Sequence, residues 1–111
     1  MAQSFDGAIE DVIILSGATT TRSIEGVDYY SDATAICIQS PAALDVGTYS
    51  IQVSRDGILW ATLEDAGGAI TVPIATRARQ YTEIHGFKWF RIAGPTAAAN
   101  RIFLVSKQWT A

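Results

Sequence analysis

The stretch VSRDGILW, residues 53–60, holds residues whose types and spacing could do chemistry: Asp56, Gly57 and Trp60. An Asp-Gly pair between two β-rich runs is the strongest short hairpin signal, because both central residues of a type I′ turn need positive φ. A calcium site needs six or more oxygen ligands, and the nearby carboxylates do not fall at calcium-loop spacing. The pair therefore predicts a turn. Trp60 lies on the same face as Ile58 if the strand alternates, so Trp60 should pack into the sandwich.

The remaining reactive residue types give no catalytic pattern. His85 is the only histidine, and no second histidine stands at the i+3 or i+4 spacing of a metal site. No G-x-S-x-G nucleophile elbow is present, and the scattered carboxylates give no spacing for a glycosidase pair. Cys37, the single cysteine, stands among apolar neighbours and is predicted to be a small buried hydrophobe. The sequence thus predicts no enzyme, no catalytic residue, no metal site and no cofactor.

Three aromatic residues are candidates for a protein interface. Trp109 ends the last β-rich run, where it could either close the core or anchor a contact with another protein. Tyr29 and Tyr30 are adjacent, and neighbours on a strand point to opposite faces, so one of them should be exposed. Trp109, Tyr29 and Tyr30 are therefore the predicted interface residues.

Composition narrows the class of partner. The 111 residues are 49% hydrophobic and 17% charged, and the net charge is −3. A nucleic-acid binder needs a basic footprint, and an anionic membrane attracts basic segments, so neither partner is expected. No apolar run approaches the roughly 18 residues of a membrane span. The polar, acidic N-terminal residues predict no signal peptide, which places synthesis and folding in a cytoplasm.

The elements that must position these residues are short β-rich runs ended by turn residues. The residue pattern predicts strands over 11–17, 33–39, 48–54, 58–64, 69–75, 87–94 and 101–109. Residues 18–32 read as a loop with a short strand, and Pro73 places its strand at an edge or a bulge. Residues 77–86 are the only plausible helix. The prediction is one antiparallel β-sandwich over 1–111, jelly-roll or Ig-like, with seven to eight strands and a flexible N-terminal segment.

Three motifs resemble those of small β-sandwich virion proteins of tailed bacteriophages. They are the IQ-x-P strand end at residues 38–41, the S-x-D-G-x-x-W hairpin at residues 54–60, and F-x-x-F-R-I at residues 87–92. The resemblance covers roughly residues 33–107. The hairpin and the R-I pair are also similar to discoidin-type sandwiches and sugar-binding modules, which leaves a carbohydrate-binding module of a receptor-binding or tail component as the alternative.

The resemblance implies a non-enzymatic capsid decoration or cement protein, located in the virion after assembly in the host cytoplasm. Its implied partner is the major capsid protein or another virion protein. The charge-poor composition favours a homo-oligomer, because apolar surface is more stable when it is shared between copies. The family analogy favours a trimer, followed by a dimer, with Trp109 near the contact.

Overall fold

A computed structural model describes residues 4–25, 35–40, 47–73, 77–81, 84 and 87–110. These residues form β-strands and no helix, and every strand pairing among them is antiparallel. The strands are β1 (Ser4–Ile14), β2 (Ile24–Glu25), β3 (Ala35–Gln39), β4 (Tyr49–Ser54), β5 (Ala61–Thr62), β6 (Glu64–Asp65), β7 (Gly68–Ala69), β8 (Thr71–Val72), β9 (Ala78–Tyr81), β10 (Trp89–Ala93) and β11 (Arg101–Thr110).

The strands form two larger sheets and one small hairpin. The first sheet has the order β1-β11-β3-β9, and the second sheet has the order β2-β10-β4-β5, with β8 also paired to β4. Strands β6 and β7 make the hairpin, with Ala66 and Gly67 in the turn between them. The longest pairing joins β1 to β11, from Ser4 opposite Thr110 to Ile14 opposite Arg101, with a register shift between Asp6 and Ile9.

One hydrophobic core collects side chains from both larger sheets. Strand residues alternate between two faces, so every second residue points inward. In β4 the inward residues are Tyr49, Ile51 and Val53, as their spacing predicts, and all three are buried. The ring of Tyr49, in the second sheet, packs edge-to-face against the ring of Phe103, in the first sheet, with the ring centroids 5.9 Å apart. This contact joins the inner faces of the two sheets.

A second link between the sheets runs along one edge. The Tyr81 hydroxyl of β9 donates to the Thr71 carbonyl of β8 at 2.8 Å, and the Arg79 guanidinium lies 4.7 Å from the Tyr81 ring centroid. Tyr81 is buried, and its backbone pairs with Ile36 of β3. Residues 78–81 are therefore a strand. The predicted helix over 77–86 is wrong, because β3 offers an edge that this segment completes.

The connection between β10 and β11 is fixed by Arg101, which is buried. Its guanidinium donates to the carbonyls of Pro95 at 3.0 Å and Thr96 at 3.2 Å, and it lies 5.3 Å from the Tyr49 ring centroid. The backbone of Ala97 also exchanges hydrogen bonds with residues 17 and 18. The connection and the turn after β1 are thus one hydrogen-bonded unit.

The segment predicted as a strand over 58–64 is different in the structure. Only Ala61–Thr62 and Glu64–Asp65 are strand residues, and the run after them is divided into β7 and β8. This division gives eleven strands among the described residues where seven to eight were predicted. Among the strands that the structure describes, Thr71 and Val72 pair with the first two residues of β4 and with no other strand, so the strand beside Pro73 lies at an edge, as predicted.

Candidate functional site

The Asp-Gly stretch forms a loop, residues 54–60, which we call the finger loop. It is bounded by the paired residues Val53 and Ala61, so it is wider than the predicted two-residue turn. Gly57 has a φ of +79°, the left-handed conformation that glycine adopts without strain. The sequence correctly predicted a glycine-dependent reversal here, but it did not predict the loop's length.

Side-chain hydrogen bonds hold the finger loop in one conformation. The Asp56 Oδ1 atom accepts from the amides of Ile58 at 2.8 Å and Leu59 at 3.0 Å, and from the Ser54 hydroxyl at 3.0 Å. The Ser54 Oγ atom in turn accepts from the Gly57 amide at 2.8 Å. Asp and Ser side chains stabilise turns by accepting hydrogen bonds from nearby backbone amides in this way.

The same hydrogen bonds set the ionisation of Asp56. The Leu59 and Ile58 amides and the Ser54 hydroxyl favour the charged carboxylate and lower the pKa of Asp56 below its ordinary value. Asp56 is therefore ionised at neutral pH and acts as an acceptor within its own loop. Its role in the structure is to hold the loop, which agrees with the prediction of a turn.

The indole of Trp89 supports the middle of the loop. Gly57 packs against it, since a Cβ at this position would lie 3.4 Å from the Trp89 Nε1 atom. The Lys88 Nζ atom lies 5.5 Å from the centroid of the same indole. Trp89 is half-buried on the outer face of the second sheet, where it pairs with Ser54. The loop is thus fixed to the outer face of the second sheet.

Trp60 closes the loop on the same outer face. The Arg91 guanidinium carbon lies 4.2 Å from the Trp60 ring centroid, and Arg91 Nε donates to Gln52 Oε1 at 2.6 Å. Burial lowers the pKa of Arg91 below its ordinary value. Trp60 is half-buried outside the core. The prediction that Trp60 packs into the core is therefore wrong.

Two large apolar side chains stand exposed on this fixed loop. Ile58 is 78% exposed and Leu59 is 77% exposed. The Asp56 carboxylate accepts hydrogen bonds from the amides of both residues, so these amides do not pair with a neighbouring strand and the two side chains do not follow the alternation of a strand. Leu59 also borders an open groove of about 470 Å³, whose other apolar walls include Val53, Leu63 and Phe87.

A second apolar surface lies on the outer face of the first sheet. We call it the outer patch, and it consists of Ile13, Leu15, Ile102 and Leu104. Ile13 and Ile102 are register partners, and Leu104 lies opposite Asp11. Leu15 is 58% exposed, Ile102 43% and Leu104 40%. Among the side chains that the structure describes, the exposed large apolar ones all belong to the finger loop or to this patch.

The outer patch continues into a groove beside β1, the edge strand of the first sheet. This edge groove of about 400 Å³ lies between the outward side chains of Asp11, Ile13 and Leu15 and the segment 18–22. Its rim carries the exposed Asp11 and an ion pair between Arg22 and Glu10, with an N–O distance of 2.8 Å. The groove therefore has apolar walls and a charged rim.

The predicted interface residues are only partly placed by the structure. Trp109 stands in β11 with its backbone opposite Phe5. The Trp109 side chain, together with Tyr29 and Tyr30, lies outside the described part of the chain. Their contribution to an interface stays a prediction. His85 also lies outside the described residues. Cys37 is a free thiol that is only half-buried, because it alternates with the buried Ile36 and Ile38.

Within the described ranges, no group of three or more His, Cys, Asp or Glu side chains could hold a metal ion. The same part of the chain contains no helix long and apolar enough to cross a membrane. Comparison with protein-family models, with curated proteins and with solved structures gives no match to this chain.

The exposed pair in the finger loop was missed by reasoning from the sequence. The signal that could have found it is the spacing of Ser54 and Asp56, since hydroxyl and carboxylate groups two residues apart can cap the amides that follow. Alternation alone favoured a strand through Ile58. The outer patch was missed because β1 and β11 are far apart in the sequence, and their pairing cannot be read from either strand.

Proposed function

We propose that this protein is a non-enzymatic structural protein of a bacteriophage virion, a capsid decoration protein that binds and stabilises the head lattice. The observation that carries the protein-contact role is the finger loop, which exposes Ile58 and Leu59 in a conformation fixed by Asp56 and Ser54. Exposed apolar side chains beside one another mark association sites. A loop that is already ordered loses less conformational entropy on binding, which favours affinity.

The strand order supports a more specific fold, and we infer a β-sandwich of the jelly-roll type. Counting β5 to β8 as one position in sequence gives eight positions, arranged 1-8-3-6 in one sheet and 2-7-4-5 in the other. An Ig-like domain instead has its first, second, fifth and fourth strands in one sheet. The interleaved order supports a jelly roll, an architecture found in viral capsid and lectin domains.

The assignment to a virion draws on the resemblance of residues 33–107 to small phage structural proteins. The S-x-D-G-x-x-W motif of that resemblance coincides with the finger loop, from Ser54 to Trp60. The motif residues Ser54, Asp56 and Gly57 hold the loop in shape, and the unspecified positions between Gly57 and Trp60 carry the exposed Ile58 and Leu59. The proposed partner is the major capsid protein or another virion protein, and the proposed location is the assembled particle.

The test begins with particles of the phage that carries the gene. Mass spectrometry of purified particles should find the protein, and particles from a deletion strain should rebind the purified chain and become more resistant to heat. The variant Leu59→Asp should rebind less, whereas Ala66→Asp, with the same charge change at an exposed turn residue, should rebind normally. Absence of the protein from purified particles would refute the assignment.

The carbohydrate-binding alternative has one observation in its favour, the half-buried indoles of Trp60 and Trp89 on the outer face of the second sheet. Sugar rings stack on exposed indole faces. Here a guanidinium lies over Trp60, and Gly57 packs against Trp89, so each indole already has a partner. These contacts favour the interpretation that the two indoles support the finger loop over the interpretation that they bind a sugar. Binding on a glycan array that Trp60→Ala abolishes, with the fold retained, would favour the alternative.

A further inference from the structure

We propose that the occupant of the edge groove and outer patch is the finger loop of a second copy of this chain, so that copies associate head to tail. The proposal deepens the proposed function and rests on its assignment of the finger loop as a protein-contact element. It names the partner of that loop. The argument uses the position, the apolar character and the charge of the two surfaces.

The finger loop and one wall of the edge groove lie at opposite ends of β10. The finger loop begins at Ser54, which pairs with Trp89 at the start of β10. The segment that walls the edge groove bridges through Thr20 to Ala93, the last residue of β10. The five residues of β10 span roughly 13 Å at the usual rise of a strand. A finger loop fixed to its own sheet therefore meets this groove only in another molecule.

The two surfaces match in apolar character. The finger loop presents two adjacent exposed aliphatic side chains, Ile58 and Leu59, and the groove walls include Ile13 and Leu15. Together with the rest of the outer patch, these residues are the places where the described part of the chain leaves large aliphatic surface open to water. One head-to-tail contact removes both surfaces from water at once.

The charges beside the two surfaces are complementary. Arg55 is exposed at the base of the finger loop, and Asp11 is exposed on the rim of the edge groove. When the finger of one copy enters the groove of the next, this arrangement allows an ion pair across the contact. Charges at the rim of an interface set orientation more than affinity. The pair would therefore select the head-to-tail orientation.

The contact joins two different surfaces, so each copy can both offer a finger and accept one. Such heterologous contacts close into rings where the rotation permits and otherwise form open chains. A closed trimer is one member of this set. A dimer in which the two copies meet through the same surface is not a member of this set. Mixtures of variants can therefore distinguish the proposed contact from such a dimer.

The test uses the isolated full chain and two variants at exposed positions, Leu59→Asp on the finger and Leu15→Asp on the patch. Sedimentation velocity and light scattering should find wild-type assemblies that dissociate on dilution. Either variant alone should weaken association at least about tenfold, because each removes an exposed aliphatic group that the contact would bury and adds a charge to the contact. The matched control Ala66→Asp should associate like the wild type.

An equimolar mixture of the two variants provides the decisive measurement. One copy keeps an intact patch and the other an intact finger, so the mixture should form a heterodimer and nothing larger. In the same assay Arg55→Glu and Asp11→Arg should each weaken wild-type association roughly two- to fivefold, and the double variant should recover it.

Two results would overturn the proposal. A wild-type chain that stays monomeric at the highest soluble concentration would do so, and so would variants that fail to complement each other while circular dichroism shows both folded. Rebinding to deletion-strain particles separates this failure from failure of the proposed function. A monomeric chain that still binds particles through Leu59 retains its virion role and loses only the head-to-tail contact.

Discussion

Replacing Arg101 tests whether this buried side chain orders the connection between β10 and β11. In Arg101→Met the carbonyls of Pro95 and Thr96 lose a charge-assisted hydrogen bond each, a net contribution of about 1.5–3 kcal/mol apiece. The contact with the Tyr49 ring contributes roughly 0.5–2 kcal/mol more. Removing a buried charge offsets part of this loss, because its desolvation is costly. We expect a net destabilisation of about 2 kcal/mol.

The change should be visible in thermal unfolding. An unfolding entropy of about 2.1 cal/mol/K per residue, over 111 residues, converts 2 kcal/mol into a fall in Tm of roughly 9 °C. Arg101→Ala also loses the apolar stem and should cost about 2 kcal/mol more than the methionine variant, at about 0.8 kcal/mol for each methylene. Arg101→Lys, which has one charged nitrogen to bridge two carbonyls, should fall between the wild type and Arg101→Met.

Urea unfolding of the same variants provides the stability difference independently of temperature. A stability of Arg101→Met within about 0.5 kcal/mol of the wild type, which is typical of a surface substitution, would refute the reasoning. It would mean that the two carbonyls find equally good partners in water. The adjoining turn would then be held without Arg101, by the backbone hydrogen bonds of Ala97 and by those of Ser16 with Ala98 and Asn100.

Three further outcomes follow from the site and the core. The amides of the finger loop should stay protected from hydrogen exchange from neutral pH down through the ordinary carboxyl range, and should lose this protection only in stronger acid. The reason is that the ionised Asp56 carboxylate stabilises the loop, and this stabilisation is lost as the pH falls through the lowered pKa of Asp56. NMR titration should place this transition, and Asp56→Asn, which keeps an acceptor oxygen, should remove it. Gly94→Ala should destabilise the fold by about 1–3 kcal/mol in urea unfolding, because the new Cβ would lie 2.8 Å from the buried Tyr49 ring. A double-mutant cycle of Trp60→Leu and Arg91→Met should give a coupling energy of about 0.5–1 kcal/mol. Additive effects in that cycle would mean that the stacked geometry contributes nothing to stability.

The sequence by itself determined the class of the fold and the inward faces of the clearest strands. The alternation through Tyr49, Ile51 and Val53 has one solution in which the apolar residues are buried, and the structure has that solution. Pro73 limited its strand to an edge because it lacks an amide hydrogen. These features follow from the chemistry of a residue and its immediate neighbours, so they can be read locally.

The tertiary structure decided which strands meet, and with them the surfaces that remain exposed. The outer patch exists because Ile13 lies opposite Ile102, a pairing between the two ends of the chain that no local pattern encodes. Residues 78–81 became a strand because the edge of β3 was available to them. In each case a hydrogen bond or a contact with another segment overrode the local pattern, since burial depends on the whole fold.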